Sequence, residues 1–452
     1  MKKFILSFAL VMLVLFGYSQ NLVSVETAMN ASRNFLSERV GSNTKGLSMT
    51  HVYTEYDVDG TPLFYRFQVG EKGFMIVSAT DLAIPVLAYS LEANFEPGTG
   101  ADFYCNKYKK QLSILNENPA LALPEASQAW AKYARNDFRL DSKGPKGTPC
   151  VEPLVTTKWT QETYYNAMCP FSSSPESNMD YRCPVGCVAL TMANIMYYYR
   201  FPEHGFGGVA YIPREYEDGE LIYTYPAQQV NFAQQTYTYD AMSNRLDSYN
   251  GELAKLIYNA GVSVRMSYGH DGSGSQSEYA ITALQNNFYY SQAAQFKEYS
   301  SFIEEGGTIQ SWTDLAKSEL DARRPLFFSG NNEHEGGHAW IVDGYTTIHD
   351  TLTYFHVNWG WNGSSNGFYN IKNMLTTSYG NFNYENSESF MTGLAPEYAD
   401  IVKPTTGDVR ITAAKGTISD GAGNMKYQPN TYRSWIIATP DASRYVLQFD
   451  KI

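Results

Sequence analysis

The chain has little cysteine and little charge for its 452 residues. Five cysteines are too few for a disulfide scaffold of this length. Because the number is odd, at least one thiol lacks an intrachain partner. Charged residues make up only 18%, and there is no basic excess: the net charge is −12. That argues against a basic face for nucleic acid, so no nucleic-acid partner is expected. After the first sixteen positions no apolar run approaches the roughly 20 residues needed to span a bilayer, so no transmembrane segment is expected. Internal repeats and low-complexity tracts are also missing. What is present is apolar and aromatic. Hydrophobic residues reach 43% and aromatics 15%, with 36 tyrosines. Such a chain can bury a large core and is not intrinsically disordered. Its length suggests about three domains.

The N-terminus reads as an address. Lys2 and Lys3 precede an apolar run from Phe4 to Phe16, which gives way to Gly17-Tyr18-Ser19-Gln20. This is the pattern of a secretory signal peptide, expected over residues 1–19. The run is too short for a membrane anchor. An exported protein is expected, whether extracellular, held at the cell surface or periplasmic.

From Val23 to Val40, Val25, Ala28, Ala31 and Phe35 recur at helical spacing. Strand-like segments follow: His51 to Val58 ends at Asp59-Gly60, a hairpin signal, and Leu63 to Val69 resumes. Phe74 to Ser78 and Val86 to Tyr89 continue a small antiparallel sheet, and residues 101 to 138 read as helical. The Gly-, Pro- and Lys-rich run 141–149 marks an exposed, easily nicked boundary. The largest block, 146–396, has helices from Cys187 to Tyr199 and from Glu252 to Ala260. A third, N-capped by Ser311 with Asp314 three residues on, ends near Arg323-Arg324-Pro325. Strand patterns at Leu326–Phe328, Ala339–Tyr345, Thr353–Asn358 and Gly367–Tyr369 come later. Helices first and strands later read as α+β. Residues 397–452 carry three strand-like runs, at 409–412, 434–437 and 445–449. They read as a β-rich segment, either an incomplete domain or an extension of the main one.

Three constellations could carry chemistry. Cys187, in Cys183-Pro184-Val185-Gly186-Cys187, directly precedes an apolar helix. The unpaired N–H groups and dipole of a helix N-terminus favour a thiolate there. A buried structural cysteine, or a disulfide with Cys169 or Cys183, fits the same position. The second constellation is Gly337-His338-Ala339 opening a strand that closes in Asp343-Gly344, followed by Phe355-His356-Val357-Asn358-Trp359-Gly360-Trp361. His338 lies 151 residues after Cys187, and Asn358 a further 20 on. A cysteine nucleophile needs a base and a third group to hold the imidazole, and this order and spacing fit a papain-like cysteine peptidase. The third is a rival: His334-Glu335-Gly336-Gly337-His338 matches the zinc-peptidase pattern H-E-x-x-H. That motif works only on a helix. Two glycines inside it cost about 0.8–1 kcal/mol each relative to alanine, so it reads as a turn entering a strand. The glycine-rich run His270-Asp271-Gly272-Ser273-Gly274-Ser275 lacks the context of a nucleotide site and reads as a loop bordering the cleft.

On these residues the chain resembles the streptopain-type (family C10) cysteine peptidases over about residues 22 to 395. The resemblance rests on Gly186-Cys187-Val188-Ala189 with Met192 to Met196, Gly337-His338-Ala339 with Asp343-Gly344, and His356 to Trp361. It implies a papain-like catalytic domain at 146–396 and an inhibitory propeptide at 20–145, carried by Gly73 to Asp81 and Pro85 to Ser90. Cleavage in the 141–149 run would then activate a zymogen. It also implies Cys187 as nucleophile and His338 as general base, then acid. Gln161, in Trp159-Thr160-Gln161, would form the oxyanion hole with the Cys187 N–H. Asn358 is the candidate to orient the imidazole, with Trp359 and Trp361 shielding the pair. Gly186, Gly337 and Ser275 are expected beside the substrate. The implied substrates are proteins and peptides, with an apolar side chain preferred one residue before the scissile position. The propeptide serves as an intramolecular inhibitor, and no metal or organic cofactor is needed. The resemblance leaves the pairing of Cys105, Cys150, Cys169 and Cys183 open. The competing expectation is a catalytically silent surface-binding or adhesion protein on the same scaffold.

Overall fold

A computed structural model of the chain describes residues 22–40, 47–139, 150–174, 181–332, 336–348, 352–371, 374 and 388–397, together with the backbone of four short strands beyond residue 400. The signal segment, the linker 141–149 and the strand expected at 445–449 lie outside the described residues. Helix α1 (Val25–Val40) buries Ala28, Ala31 and Phe35, the face its spacing predicts. Strands β1 (Met49–Tyr56), β2 (Pro62–Val69), β3 (Phe74–Ser78) and β4 (Val86–Ser90) form an antiparallel meander. Gly60 takes φ +79° in the first turn. The helical stretch expected at 101–138 divides into α2 (Asp102–Glu117) and α3 (Pro124–Tyr133). Pro119 follows Asn118, which is held at φ −132°, ψ 74°, and Pro124 sits at the start of α3. Proline lacks the N–H that a continuing helix needs and suits a first turn.

The second half opens with α4 (Cys187–Tyr199), as expected. Four short strands follow: β5 (Gly208–Tyr211) pairs with β8 (Gln228–Asn231), and β6 (Arg214–Glu217) with β7 (Glu220–Thr224). Next come α5 (Gly251–Ser263), α6 (Ser277–Phe288), β9 (Gln295–Glu298), α7 (Tyr299–Glu304) and α8 (Ile309–Asp321). The cap of α8 differs from expectation. Thr308, not Ser311, is the N-cap, and Ser311 at the third helical position returns the hydrogen bond in a capping box. Strands β10 (Leu326–Asn332), β11 (Gly336–Ile348), β12 (Leu352–Asn358), β13 (Gly367–Tyr369) and β14 (Glu388–Thr392) complete the half. Beyond residue 400, β15 (Ile401–Val402) pairs with β17 (Thr417–Ile418), and β16 (Asp408–Ile411) with β18 (Ser434–Ile437), both parallel. Among the described residues no helix is long and apolar enough to cross a membrane.

The N-terminal meander does not form a sheet of its own. One ten-stranded sheet runs β1-β2-β3-β4-β13-β12-β11-β10-β14-β9. Its two halves meet where β4 pairs with β13, at Tyr89↔Phe368 and Ala88↔Tyr369, and the Tyr89 and Phe368 rings stack at 5.3 Å. All five residues of β3 and of β4 are buried, as strands covered on both faces must be. One apolar core draws on both halves, from Phe35, Tyr89 and Tyr104 to Trp340, Trp359 and Tyr369. A second, around α4, α5 and α6, belongs to the later half alone.

Candidate active site

Cys187 is the first residue of α4, and Gly186 is its N-cap with φ +86° and ψ 137°. A Cβ at 186 would stand 2.6 Å from the Met266 side chain and 2.9 Å from the Ser273 carbonyl. Only glycine therefore lets the chain turn into the helix with the 266–274 loop resting on it. The ten residues Val188 to Tyr197 are all buried, so the helix that carries the thiol is fixed on every side. The thiol itself is half-buried. Burial pushes its pKa up, opposed by the backbone N–H groups of Ala339, Val188 and Cys187. The helix N-terminus acts in the expected direction, but desolvation outweighs it.

His338 lies near the start of β11. Its ring stacks near Trp340 at 6.0 Å and Trp359 at 6.4 Å, with Trp361 at 6.3 Å. Nε2 is 3.0 Å from the Trp359 carbonyl oxygen. A carbonyl only accepts, so Nε2 carries the hydrogen. Burial lowers the pKa to about 4 despite that bond, so the ring is neutral and Nδ1 keeps its lone pair. His338 is a strand residue, which removes the helical geometry that the H-E-x-x-H pattern requires. His334 lies outside the described residues.

Cys187 and His338 line one cleft of about 980 Å³, with Gly337 and Ser275 on its walls. Ser275 Oγ donates to the Val264 carbonyl at 2.7 Å, which ties down the glycine-rich loop expected to border the cleft. Gly186 supports that loop from behind, as its contacts show. Gln161 stands beside the loop that leads into Cys187, and its backbone carbonyl accepts from the Val185 N–H at 2.9 Å. The buried Asn358 uses its amide elsewhere than on the imidazole. Nδ2 donates to the Thr157 carbonyl at 2.7 Å, and Oδ1 accepts from the Gly360 N–H at 3.2 Å.

Three features around the cleft escape a reading of the sequence. A Cβ on Gly100 would stand 2.6 Å from His338 Cδ2 and 2.7 Å from Nε2, so the backbone before α2 lies directly against the imidazole. Glu215 is a hub of the cleft wall. It accepts from the His270 N–H at 2.8 Å, Ser173 Oγ at 2.6 Å and Tyr225 Oη at 2.7 Å, and pairs with His270 Nδ1 at 2.5 Å. Burial pushes its pKa up, but these donors win and hold it at about 2. Finally, His356 bridges two carboxylates, Asp343 through Nδ1 at 2.6 Å and Glu92 through Nε2 at 2.7 Å. Burial opposes its charge, yet Asp343 and Glu92 raise its pKa to about 10, and Glu92 is lowered chiefly by His356 in return. The sequence carries only part of a signal: His356 stands between Phe355 and Val357 in an apolar strand pattern, and a histidine buried there needs a partner. Nothing local points to residue 92 as that partner.

Residues 159–369 match the model of the Peptidase C10 family, and residues 20–112 match that of the Spi protease inhibitor. Streptopain of Streptococcus pyogenes is 26% identical over 345 residues, covering 74% of this chain and 80% of that protein. The thiol protease/hemagglutinin PrtT of Porphyromonas gingivalis is 26% identical over 457 residues, covering 96% of this chain and 49% of its own length. A solved fragment of Prevotella intermedia prointerpain A shares the fold with a TM-score of 0.57 and 21% identity, covering 77% of this chain and 98% of that one. With an inhibitor-like domain ahead of a peptidase domain, the arrangement is that of a cysteine peptidase zymogen. Residues 159–369 belong to the streptopain-type, C10 family of cysteine peptidases.

Proposed function

We propose that the protein is an exported cysteine endopeptidase made as a latent zymogen, in which Cys187 is the nucleophile and His338 its base. The observation that carries this reading is the shared cleft. The thiol stands at a fixed helix N-terminus, and the imidazole is tied through Nε2 so that Nδ1 is left to take a proton. The Cys187 thiolate attacks a peptide carbonyl, and the His338 imidazolium protonates the leaving amine. An acyl-enzyme forms, and water, deprotonated by His338, releases the acid and restores the thiol. The Gln161 side chain and the Cys187 N–H receive the oxyanion, a contribution of about 10²–10³ in rate per donor. The Trp359 carbonyl orients the imidazole. Asn358 acts one step back, holding the Thr157 and Gly360 backbone around that carbonyl. Gly337 and Ser275 flank the substrate, Gly186 supports the wall, and Trp359 and Trp361 shield the imidazole.

In this reading residues 1–19 direct export and 20–145 inhibit. Residues 146–396 carry catalysis on proteins and peptides, and 397–452 form a β-rich appendage. Latency has two sources: the Gly100 backbone against His338, and burial that keeps both catalytic groups uncharged. The test is Cys187→Ala. It should abolish casein cleavage and labelling by a thiol-directed epoxide, and full activity in that variant would end the proposal. N-terminal sequencing of the labelled wild-type form should place its start within 141–149.

A further inference from the structure

Helix α2 presents Phe103 and Lys107, one turn apart, to the peptidase half. The Phe103 ring fills the space a side chain at Gly330 would take, 2.5 Å from that Cβ position, and packs on Trp340 at 5.0 Å. Lys107 Nζ donates to Glu388 Oε1 at 2.7 Å and to the Ile371 carbonyl at 3.3 Å. Glu388 is only 5% exposed, and it lines the same cleft as Cys187 and His338. The strand register places it closely. Gly330 is the partner of His338 on one side and of Glu388 on the other, so the three form a cross-strand row on one face of the sheet. Two strand spacings, roughly 9–10 Å, separate His338 from Glu388. An extended peptide covers that distance in about three residues.

Lys107 belongs to the stretch that matches the inhibitor family, so its ammonium leaves Glu388 when the inhibitory segment leaves. The carboxylate then loses its cation while it still lines the cleft, free to pair with another. Among the described lining residues the carboxylates of Glu215, Glu217, Asp271, Glu278 and Glu298 outnumber Arg265 and His270, and His270 is already paired with Glu215, so the field on the site is negative. Resting on the reading of the chain as a cysteine endopeptidase, we propose that Glu388 is a specificity-determining residue. It takes a substrate lysine or arginine, about three residues from the scissile bond, in the place that Lys107 holds in the zymogen.

The test is a cleavage-site profile of the full chain after activation, run on a peptide library and followed by matched peptides with Lys, Gln or Glu at the enriched position. A charge-assisted bond predicts that the Lys peptide exceeds the Gln peptide in kcat/KM by about tenfold. In Glu388→Gln that ratio should fall to about one, and in Glu388→Lys the Glu peptide should be preferred. A wild-type profile with no basic enrichment overturns the inference without need of a variant, and so does a ratio that survives Glu388→Gln. If the wild-type protein cuts no peptide, the endopeptidase reading itself fails. Cleavage without charge preference sinks only the Glu388 assignment.

Discussion

Gly100, in the segment that matches the inhibitor family, lies against His338, and one methyl group there tests whether that contact holds the proposed base silent. In Gly100→Ala the new Cβ would stand 2.6 Å and 2.7 Å from two atoms of the His338 ring and 2.8 Å from Trp359 Cε3. Ordinary carbon contacts lie at about 3.5–4.0 Å, so the overlap is roughly 1 Å against all three atoms. Relief by a small backbone shift is blocked on the segment's own side. Ser365 of the peptidase half accepts from the Glu96 N–H at 2.9 Å, and its own N–H donates to the Asn94 carbonyl at 2.9 Å. Trp359 is fully buried and cannot yield. Overpacking of this kind costs about 1–3 kcal/mol. At about 1.4 kcal/mol per tenfold, the docked state loses a factor of about 5–150 against states in which the segment has lifted. The assay is the alkylation rate of Cys187 by iodoacetamide in the intact, uncleaved chain, read by mass. The variant should react at least about fivefold faster than wild type. An unchanged rate in a variant whose melting temperature has fallen would refute the reasoning, because the strain would then have been absorbed elsewhere.

Two further predictions concern how the inhibitory segment is held. Glu92→Gln removes one carboxylate from the His356 bridge, and the zymogen should melt lower at pH 7. The raised His356 pKa contributes stability that is complete below about 6.5 and lost as pH rises through about 10, so wild-type melting should fall between pH 7 and 10 and fall less in Glu92→Gln. An equal fall in both proteins would remove the bridge from the account. A single proteolytic cut within 141–149 should leave the two pieces co-eluting on gel filtration at neutral pH, because the β4–β13 pairing and the shared core persist. Immediate separation would show that the covalent link, not the interface, maintains the association.

The elements with the cleanest local signals were legible in the sequence. The mainly apolar run after Cys187 becomes a helix in which residues 188–197 are all buried, and Asp59-Gly60 becomes the first hairpin turn. The β6–β7 hairpin was not legible. Every residue of β7 is exposed, so the period-2 burial that betrays a strand never develops. The cap of α8 shifted by three residues because Thr308 and Ser311 are both good caps, and only tertiary placement decides between them. At the site, Cys187 and His338 were legible as residue types in order. The atom that holds the imidazole was not, since a backbone carbonyl such as that of Trp359 leaves no mark on the sequence. The same holds for Glu92 with His356 and Lys107 with Glu388, pairs joined across more than 250 residues by β4 docking on β13.

Under the proposed function, that docking couples inhibition to the packing of the zymogen. The inhibitory half is continuous with the peptidase sheet, and Tyr104, Trp340, Trp359 and Tyr369 pack in one aromatic group drawn from both. His338 sits at the rim of that group, so the packing that stabilises the zymogen also strips water from the imidazole and holds its pKa at about 4. An imidazole that resists protonation cannot stabilise a thiolate beside it, and the Cys187 pKa is raised by the same burial. Lifting α2 and the Gly100 segment therefore does more than open a path for substrate. It rehydrates the base, returns its pKa toward the ordinary histidine range and makes the charged Cys187–His338 pair accessible. Latency on this account is electrostatic as well as steric, and both components are released by the same displacement.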